Sequence, residues 1–261
     1  MDNSLLYVYC AIGHNSDLKQ FAEQETVFSI RFGELYAVCR QVTHENFSEE
    51  NLKKNFSDLA WVEKQTREHI RVISLVMEQG TTVPFKFGTV FKTKESLGVF
   101  FETYRHELTK NLEILNDKEE WSIKLFCNKE LFQHHIKDMS DDIKALEAEM
   151  HDSKPGRAFI IKRKLAELMK DENHKQLSNY GQLFFEQISK LCSKTMINPL
   201  LPKEVTERSE DMVLNLACLV DKSNATVLVQ KVEILSKEYR KAGLMPEVSG
   251  PWPAFSFIKI E

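Results

Sequence analysis

The stretch LLYVYCAI, residues 5–12, decides how the first half of this chain folds. Its apolar side chains occupy both alternating faces, and such a pattern predicts a central strand that is covered on both sides. A hairpin is predicted over residues 26–42, TVFSIRFGELYAVCRQV, because apolar and polar residues alternate there around a two-residue turn at Gly33-Glu34. The chain is therefore expected to open with three strands.

A helical period follows these strands. Between Ser48 and Gly80 apolar residues recur three, four or seven positions apart, and a break is expected near Ser57-Asp58, where a second helix-capping residue lies. Strand alternation returns over residues 82–91, TVPFKFGTVF, and Thr93 is expected to cap a helix with one apolar face. The first half is thus predicted to be a sandwich of sheet and helices.

The second half begins with another strand, EWSIKLFC, at residues 120–127. Residues 129–195 are predicted to be helical, with an interruption around Pro155, which can begin a helix but cannot continue one. MVLNLACLV, residues 212–220, is predicted to be a strand, and the helix after it is expected to end at Gly243 in a left-handed conformation.

The segment SGPWPAFSFIKI, residues 249–260, is expected to supply the last strand. Pro251 and Pro253 lack an N–H group, so regular pairing is expected to begin only after Ala254. Trp252 is expected to fill the core, with the prolines stiffening the chain on either side of it.

This order of elements predicts an α+β protein with two domains. Residues 1–117 are expected to form an N-terminal α+β sandwich. Residues 118–261 are expected to form a C-terminal ferredoxin-like domain with extra helices in an enlarged helical insertion. The boundary is placed at the polar link 116–118, because the pattern starts again with a strand after it.

Composition and charge exclude several classes of function. The 35 Lys and Arg residues against 39 Asp and Glu residues leave a net charge of −4, so general affinity for nucleic acid or an anionic membrane is not expected. The longest apolar run, residues 5–12, is far shorter than the roughly 20 residues of a membrane span. Five scattered cysteines without a C-x-x-C pair indicate buried free thiols in a reducing cytosol. A cytoplasmic protein without a leader segment is therefore expected.

No constellation of catalytic, metal or cofactor residues stands out in the sequence. It has no phosphate-binding glycine motif, no H-E-x-x-H and no G-x-S-x-G. His134 and His135 with Cys127 do not predict a metal site, because adjacent helical residues point about 100° apart. The basic run 162–164 near Arg157 could hold an anion at a helix start, but consecutive residues spread around a helix, and solvated charge is the favoured interpretation.

Four stretches taken together resemble the gas vesicle protein GvpF/GvpL family, and they occur in that family's order. They are LLYVYCAIG (residues 5–13), HIRVISLVMEQGTTVPFKFGTVF (69–91), KPGRAFIIKRK (154–164) and SGPWPAFSF (249–257). The most specific are VPFKFGTVF and GPWPAFSF. One departure is Lys86, which stands where the family motif has an arginine, so a role that needs the arginine fork is not carried over.

The resemblance implies a non-enzymatic accessory protein of gas vesicles, the gas-filled buoyancy organelles of microbes, located at the vesicle in the cytoplasm. It implies a role in vesicle assembly through contacts with the small, very hydrophobic shell protein GvpA and other accessory proteins. No cofactor, small-molecule substrate, nucleic acid or membrane is expected. The family-motif positions expected to serve structure or partner contact are Pro84, Phe87, Gly88, Gly156, Arg157, Gly250, Pro251, Trp252 and Pro253.

Two other functions remain open from the residues alone. A ferredoxin-like domain could bind a small molecule or act as a haem-dependent enzyme, since this fold hosts many functions. In that case His69, Trp252 and Phe255 would line the pocket. A regulatory ligand-binding domain is a weaker alternative, which stabilisation by metabolites rather than by protein partners would reveal.

Overall fold

The structure, a computed structural model, describes residues 4–14 and 27–260. The chain divides into two compact units: Met1–Glu120 with Pro251–Glu261 forms the first, and Trp121–Gly250 forms the second. The division expected from sequence kept residues 251–261 with the second half, whereas their contacts group them with the first unit. That the chain folds as two separate domains stays a prediction.

The first unit contains an antiparallel sheet built around its first strand. Its strands are β1 (Ser4–Ile12), β2 (Val27–Phe32), β3 (Leu35–Thr43), β4 (Thr82–Pro84) and β5 (Val90–Phe91). Their order is β2-β3-β1-β4, and β5 also pairs with β1; β1 runs antiparallel to β3, β4 and β5. Residues 5–12 of β1 are all buried, which confirms the central strand covered on both faces. The hairpin turn at Gly33, with φ of +67°, is confirmed as well.

Helices of the first unit that follow Ser48, Asp58 and Thr93 begin at the predicted capping residues, whereas two others, whose starts the sequence did not predict, begin without a side-chain cap. They are α1 (His44–Phe47), α2 (Glu49–Asn55), α3 (Leu59–Met77), α4 (Lys94–Thr103) and α5 (Arg105–Leu115). The break near Ser57-Asp58 is confirmed, because the Asp58 carboxylate accepts the backbone N–H groups of Ala60 and Trp61 and so starts α3. Thr93 starts α4 and exchanges hydrogen bonds with Ser96 in a capping box.

A second sheet has the strand order β7-β8-β6-β9. Its strands are β6 (Lys118–Cys127), β7 (Lys194–Ile197), β8 (Asp211–Asp221) and β9 (Leu244–Trp252), and the helices here are α6 (Lys129–Met139), α7 (Asp141–His151), α8 (Pro155–Ser189), α9 (Lys203–Thr206) and α10 (Ala225–Tyr239). Pro155 is the first residue of the 35-residue α8, so the predicted interruption is confirmed. Gly243 ends the last helical turn with φ of +74°. The short strand β7 was not predicted, since three of its four residues are exposed and show no apolar alternation.

The last strand lies earlier in the sequence than expected. β9 ends at Trp252, and residues 253–260 form turns and irregular structure instead of the predicted strand. Pro251 is tolerated inside β9 because β9 lies at the edge of its sheet, where one side of the backbone needs no partner. The expectation that Trp252 fills the core is also wrong, because its side chain is 39% exposed, while Pro253, Ala254 and Phe257 are buried.

Candidate functional site

The loop between β4 and β5 carries the first of the two most specific sequence motifs. Residues 82–91 do not form the continuous strand expected from their alternation; β4 and β5 both pair with β1, and residues 85–89 turn between them. Phe85 N–H donates to the carbonyl of Tyr9 at 2.9 Å, and Thr89 closes the turn by donating twice to the carbonyl of Lys86. Gly88 permits this turn because its φ is +83°, which side chains disfavour.

The side chains of Tyr7 and His69 bind the backbone of this loop through hydrogen bonds. His69 Nε2 lies 3.0 Å from the carbonyl oxygen of Phe85, so this nitrogen carries the proton and donates. Nδ1 then accepts from the Tyr7 hydroxyl at 2.8 Å, and the Tyr7 oxygen accepts the N–H of Gly88 at 3.3 Å. Every polar atom in this buried series of hydrogen bonds has a partner. The backbone path of residues 85–88 is therefore set by two side chains, one from β1 and one from α3.

Burial keeps His69 neutral. The residue is only 1% exposed, and its pKa is lowered to about 4. Desolvation is the largest cause; the hydrogen bond to the Phe85 carbonyl opposes it, and the neighbouring Arg40 guanidinium adds to it. The neutral imidazole is the form that can accept from Tyr7 while donating to Phe85. Protonation would remove the Nδ1 acceptor of the Tyr7 hydroxyl, so the complete set of hydrogen bonds requires a neutral His69.

Aromatic rings surround the same histidine. The ring of Phe87 lies 5.9 Å from that of His69, and it also packs against Trp61 at 6.3 Å and Phe56 at 5.9 Å. Phe255, from the last part of the chain, also stacks on His69, with 6.1 Å between the ring centroids. Phe87 thus anchors the motif loop in the core, which accounts for an aromatic residue at this position.

The segment after β9 is held by polar side chains rather than by strand pairing. The carboxylate of Glu120 accepts from the backbone N–H of Ser256 at 2.9 Å and from its hydroxyl at 2.7 Å. The side-chain amide of Asn111 donates to the carbonyl of Lys259 at 2.9 Å and accepts from its N–H at 3.4 Å. Burial raises the pKa of Glu120, and the two hydrogen bonds from Ser256 oppose that rise.

A groove of about 470 Å³ lies between the motif loop and this last segment. It is lined by Pro84, Phe85, Lys86, Thr89, Phe100, Phe255, Ile258, Lys259 and Ile260. Most of these side chains are apolar, and the two lysines are exposed. None of the described residues that line it is a carboxylate, a histidine or a thiol. The groove is therefore suited to hold an apolar segment.

The expected site residues do not all meet here. Pro84 lines the groove, and Phe87 and Gly88 build the loop beside it, so three of the nine come together. Gly156 and Arg157 lie at the start of α8 in the second unit, where Arg157 forms an ion pair with Glu149 at 2.6 Å. Gly250 to Pro253, at the end of β9, are not among the groove-lining residues. Phe100, Asn111 and Glu120 contribute to the site without any motif that marks them.

The three residues expected to line a haem or small-molecule pocket do not line one groove together in the described part of the chain. Both ring nitrogens of His69 already have hydrogen-bond partners inside the core, and Trp252 is not among the residues of the groove that Phe255 lines. Over residues 4–14 and 27–260, no three His, Cys, Asp or Glu side chains cluster as a metal site requires. Within the same ranges, no helix combines the length and apolar character needed to cross a bilayer.

Several known proteins are similar to this chain. Gas vesicle protein L from Streptomyces sp. strain CB03234 is 24% identical over 231 residues, which cover 88% of this chain and 82% of that protein. Gas vesicle protein F from Nostoc sp. strain PCC 7120 is 23% identical over 176 residues, covering 66% of this chain and 68% of that protein.

The fold and the family agree with these similarities. The crystal structure of the gas vesicle protein GvpF from Anabaena sp. PCC7120 matches 99% of each chain with a TM-score of 0.72 at 18% identity, so the two share a mixed helix and sheet fold. Residues 5–259 match the family described as gas vesicle synthesis protein GvpL/GvpF. The chain therefore belongs to the GvpL/GvpF family of gas vesicle synthesis proteins.

Proposed function

We propose that this protein is a non-enzymatic accessory and minor structural protein of gas vesicles. It acts in vesicle assembly by binding the small hydrophobic shell protein GvpA and other gas vesicle proteins, and its place in the cell is the gas vesicle. Family membership over residues 5–259 supports a role in gas vesicle formation. The observation that carries the binding step is the apolar groove beside the motif loop.

A shell protein that lines a gas-filled space must present apolar surface. In water such a surface associates non-specifically until it is covered, so assembly needs a partner that binds it before it reaches the growing wall. The groove of the first unit offers three aromatic rings (Phe85, Phe100 and Phe255) and two isoleucines (Ile258 and Ile260) for this purpose. Its volume of about 470 Å³ is enough for a few side chains of a bound segment.

Hydrogen bonds hold both sides of the groove in the absence of a partner. The Tyr7 and His69 hydrogen bonds hold the motif loop, and the Glu120 and Asn111 hydrogen bonds hold the last segment. A preformed site loses little conformational entropy on binding, which favours affinity from a small apolar contact. The two most specific sequence motifs supply residues to the two sides of this groove, which gives a physical reason for both to occur in one protein.

We further propose that the second unit is a ferredoxin-like domain. Helices α6 to α8 separate β6 from β7, and α10 separates β8 from β9, while the sheet order is β7-β8-β6-β9. Strand-helix-strand-strand-helix-strand with this order supports a ferredoxin-like arrangement, with α7 and the long α8 as the enlarged insertion. The proposed boundary between the domains is the link at residues 116–118.

Co-purification with the shell protein tests the binding step. The tagged full chain should retain the shell protein, and Ile258→Glu should lower the amount retained, because it places a charge in the apolar groove. Val99→Glu is the matched control: Val99 is exposed on α4 but does not line the groove. Equal retention by wild type and Ile258→Glu would overturn the groove as the shell-protein site.

Deletion of the gene tests the wider role. Cells without the protein should lose their gas vesicles, and the wild-type gene should restore them. Normal buoyant vesicles in the deletion strain, with no second copy of the gene present, would overturn the assembly function itself.

A further inference from the structure

The first turns of α8 expose two large apolar side chains among basic ones. Phe159 is 73% exposed and Ile160 is 69% exposed. Arg157 lies one turn before Ile160, Lys162 and Arg163 lie one turn after Phe159, and Lys164 lies one turn after Ile160. Basic side chains therefore flank the two apolar ones around the helix. These six residues, Arg157, Phe159, Ile160, Lys162, Arg163 and Lys164, are called the α8 patch below.

The α8 patch faces away from the core of the second unit. The same turns bury Ile161, and Leu165 and Leu168 pack against the core one and two turns later. Phe159 precedes Ile161 by two residues, which is about 200° around a helix. Phe159 therefore lies almost opposite the buried stripe of α8, and its side chain is not covered by the rest of the second unit.

The charges of this helix start are unfavourable without a partner. Residues 154–164 contain five Lys or Arg and no Asp or Glu. Helix α8 has no acidic residue in its first turn and no side-chain cap, although the helix dipole places partial positive charge at that end. In the described part of the chain, Arg157 pairs with Glu149 and Arg163 with Glu167, whereas Lys162 and Lys164 form no ion pair.

We propose that the α8 patch binds an acidic amphipathic segment of another protein. Such a segment, with apolar residues flanked by Asp and Glu, would cover Phe159 and Ile160 and place carboxylates beside Lys162 and Lys164. Binding removes exposed apolar surface and the repulsion among the basic residues in one step. This surface is distinct from the groove and does not depend on shell-protein binding.

Charges on the neighbouring helix favour a narrow protein segment over a flat anionic surface. Helix α7 packs beside α8 and, with the residue after it, carries the carboxylates of Asp141, Asp142, Glu147, Glu149 and Asp152. A lipid surface wide enough to meet the α8 patch would also meet these carboxylates and be repelled by them. A single helix or strand that lies along α8 avoids them.

The test uses the purified full chain and a synthetic peptide of about 18 residues, designed as a helix with leucines on one face and glutamates on the other. Fluorescence anisotropy should show binding that weakens as salt is added. Phe159→Ser with Ile160→Ser, and separately Lys162→Glu with Lys164→Glu, should each weaken the binding about tenfold or more. Lys170→Glu, an exposed charge further along α8, is the matched control and should bind like wild type.

Two further binding measurements distinguish an acidic segment from other ligands of the α8 patch. A peptide with glutamine in place of glutamate should bind much more weakly, and vesicles of phosphatidylserine and phosphatidylcholine should not sediment the protein. No binding by wild type, equal binding by the patch variants, or retention on vesicles but not on the peptide would each overturn the inference. Shell-protein co-purification should persist in the patch variants, and peptide binding should persist in Ile258→Glu, so the two sites can fail independently.

Discussion

The phenol oxygen of Tyr7 lies 2.8 Å from Nδ1 of His69, although 62 residues separate the two in the chain. This hydrogen bond joins the central strand β1 to helix α3, and the opposite nitrogen of His69 continues it to the Phe85 carbonyl. The Tyr7 hydrogen bond beneath the motif loop thus requires the neutral form of one buried histidine.

Acid should destabilise the first unit through His69. The folded-state pKa of about 4 lies below the ordinary value of 6.5, so the unfolded chain binds the extra proton between these two values. Stability from this group is complete above about pH 6.5 and is lost as pH falls towards 4; at about pH 5 the loss is roughly 2 kcal/mol. Urea unfolding at a series of pH values measures it.

The control for this pH dependence is a second histidine. His69→Gln should lower stability at neutral pH and reduce the dependence between pH 4 and 6.5, because glutamine does not titrate. His134→Gln, at an exposed position on α6, should keep the wild-type dependence. An unchanged slope in His69→Gln would show that other groups control the acid response.

Ser256→Ala should loosen the last segment in a pH-dependent way. The Ser256 hydroxyl donates to the Glu120 carboxylate, whose pKa burial already raises, and its loss should raise that pKa further. A carboxyl group whose pKa rises on folding contributes less stability as pH increases through that pKa. The destabilisation should therefore grow from about 1 kcal/mol in acid to about 2–3 kcal/mol near neutral pH.

Thermal unfolding of Ser256→Ala and wild type at several pH values checks this. Ser57→Ala is the control, because the exposed Ser57 hydroxyl donates to a backbone carbonyl and not to a titrating group. Its effect should be small and independent of pH. A penalty for Ser256→Ala that stays constant with pH would rule out the coupling to Glu120.

Gly88→Ala should destabilise the motif loop by about 1–2 kcal/mol, because its φ of +83° disfavours any residue with a Cβ. The added Cβ would meet the ring of Phe56 at 3.2 Å, but Phe56 is half exposed and can move, so the backbone angle dominates. Gly156→Ala is the matched control: nothing lies within 4 Å of its Cβ and it is helical, so stability should stay equal or rise. Thermal melting of both variants distinguishes the two effects.

Cysteine labelling should single out Cys192 in the native protein. Cys10, Cys39, Cys127 and Cys218 are buried, and desolvation raises the pKa of Cys39 to about 12 and that of Cys127 to about 11. Cys192 is half-buried, and a hydrogen bond with Cys218 lowers its pKa, so its thiolate is the most available. Iodoacetamide followed by peptide mass spectrometry should find label there first, and Cys192→Ser should label very slowly until unfolded.

Rapid labelling of Cys10 or Cys39 in the native protein would contradict the central position of β1 and β3. The prediction of five buried thiols from the sequence thus needs one correction. Cys192 lies between the end of α8 and β7, where the chain leaves the core, and a local pattern does not show such a departure.

Local patterns were enough for the central strand and the helix starts. Residues 5–12 are apolar on both faces, and a strand of that kind can be stable only when both faces are covered. Asp58, Thr93 and Pro155 start helices because their chemistry satisfies or omits backbone N–H groups over three or four neighbouring residues. The family motifs likewise marked Pro84, Phe87 and Gly88, which do lie together.

Tertiary structure alone decided the burial of His69 and Glu120, the place of residues 253–260 and the existence of the groove. Glu120 and Ser256 are 136 residues apart, and Asn111 and Lys259 are 148 apart. Nothing in the neighbouring sequence of a glutamate or an asparagine states that a distant segment will supply its hydrogen-bond partner. Strand alternation in residues 254–260 predicted pairing, but these side-chain hydrogen bonds and the burial of Phe257 hold the segment outside any sheet.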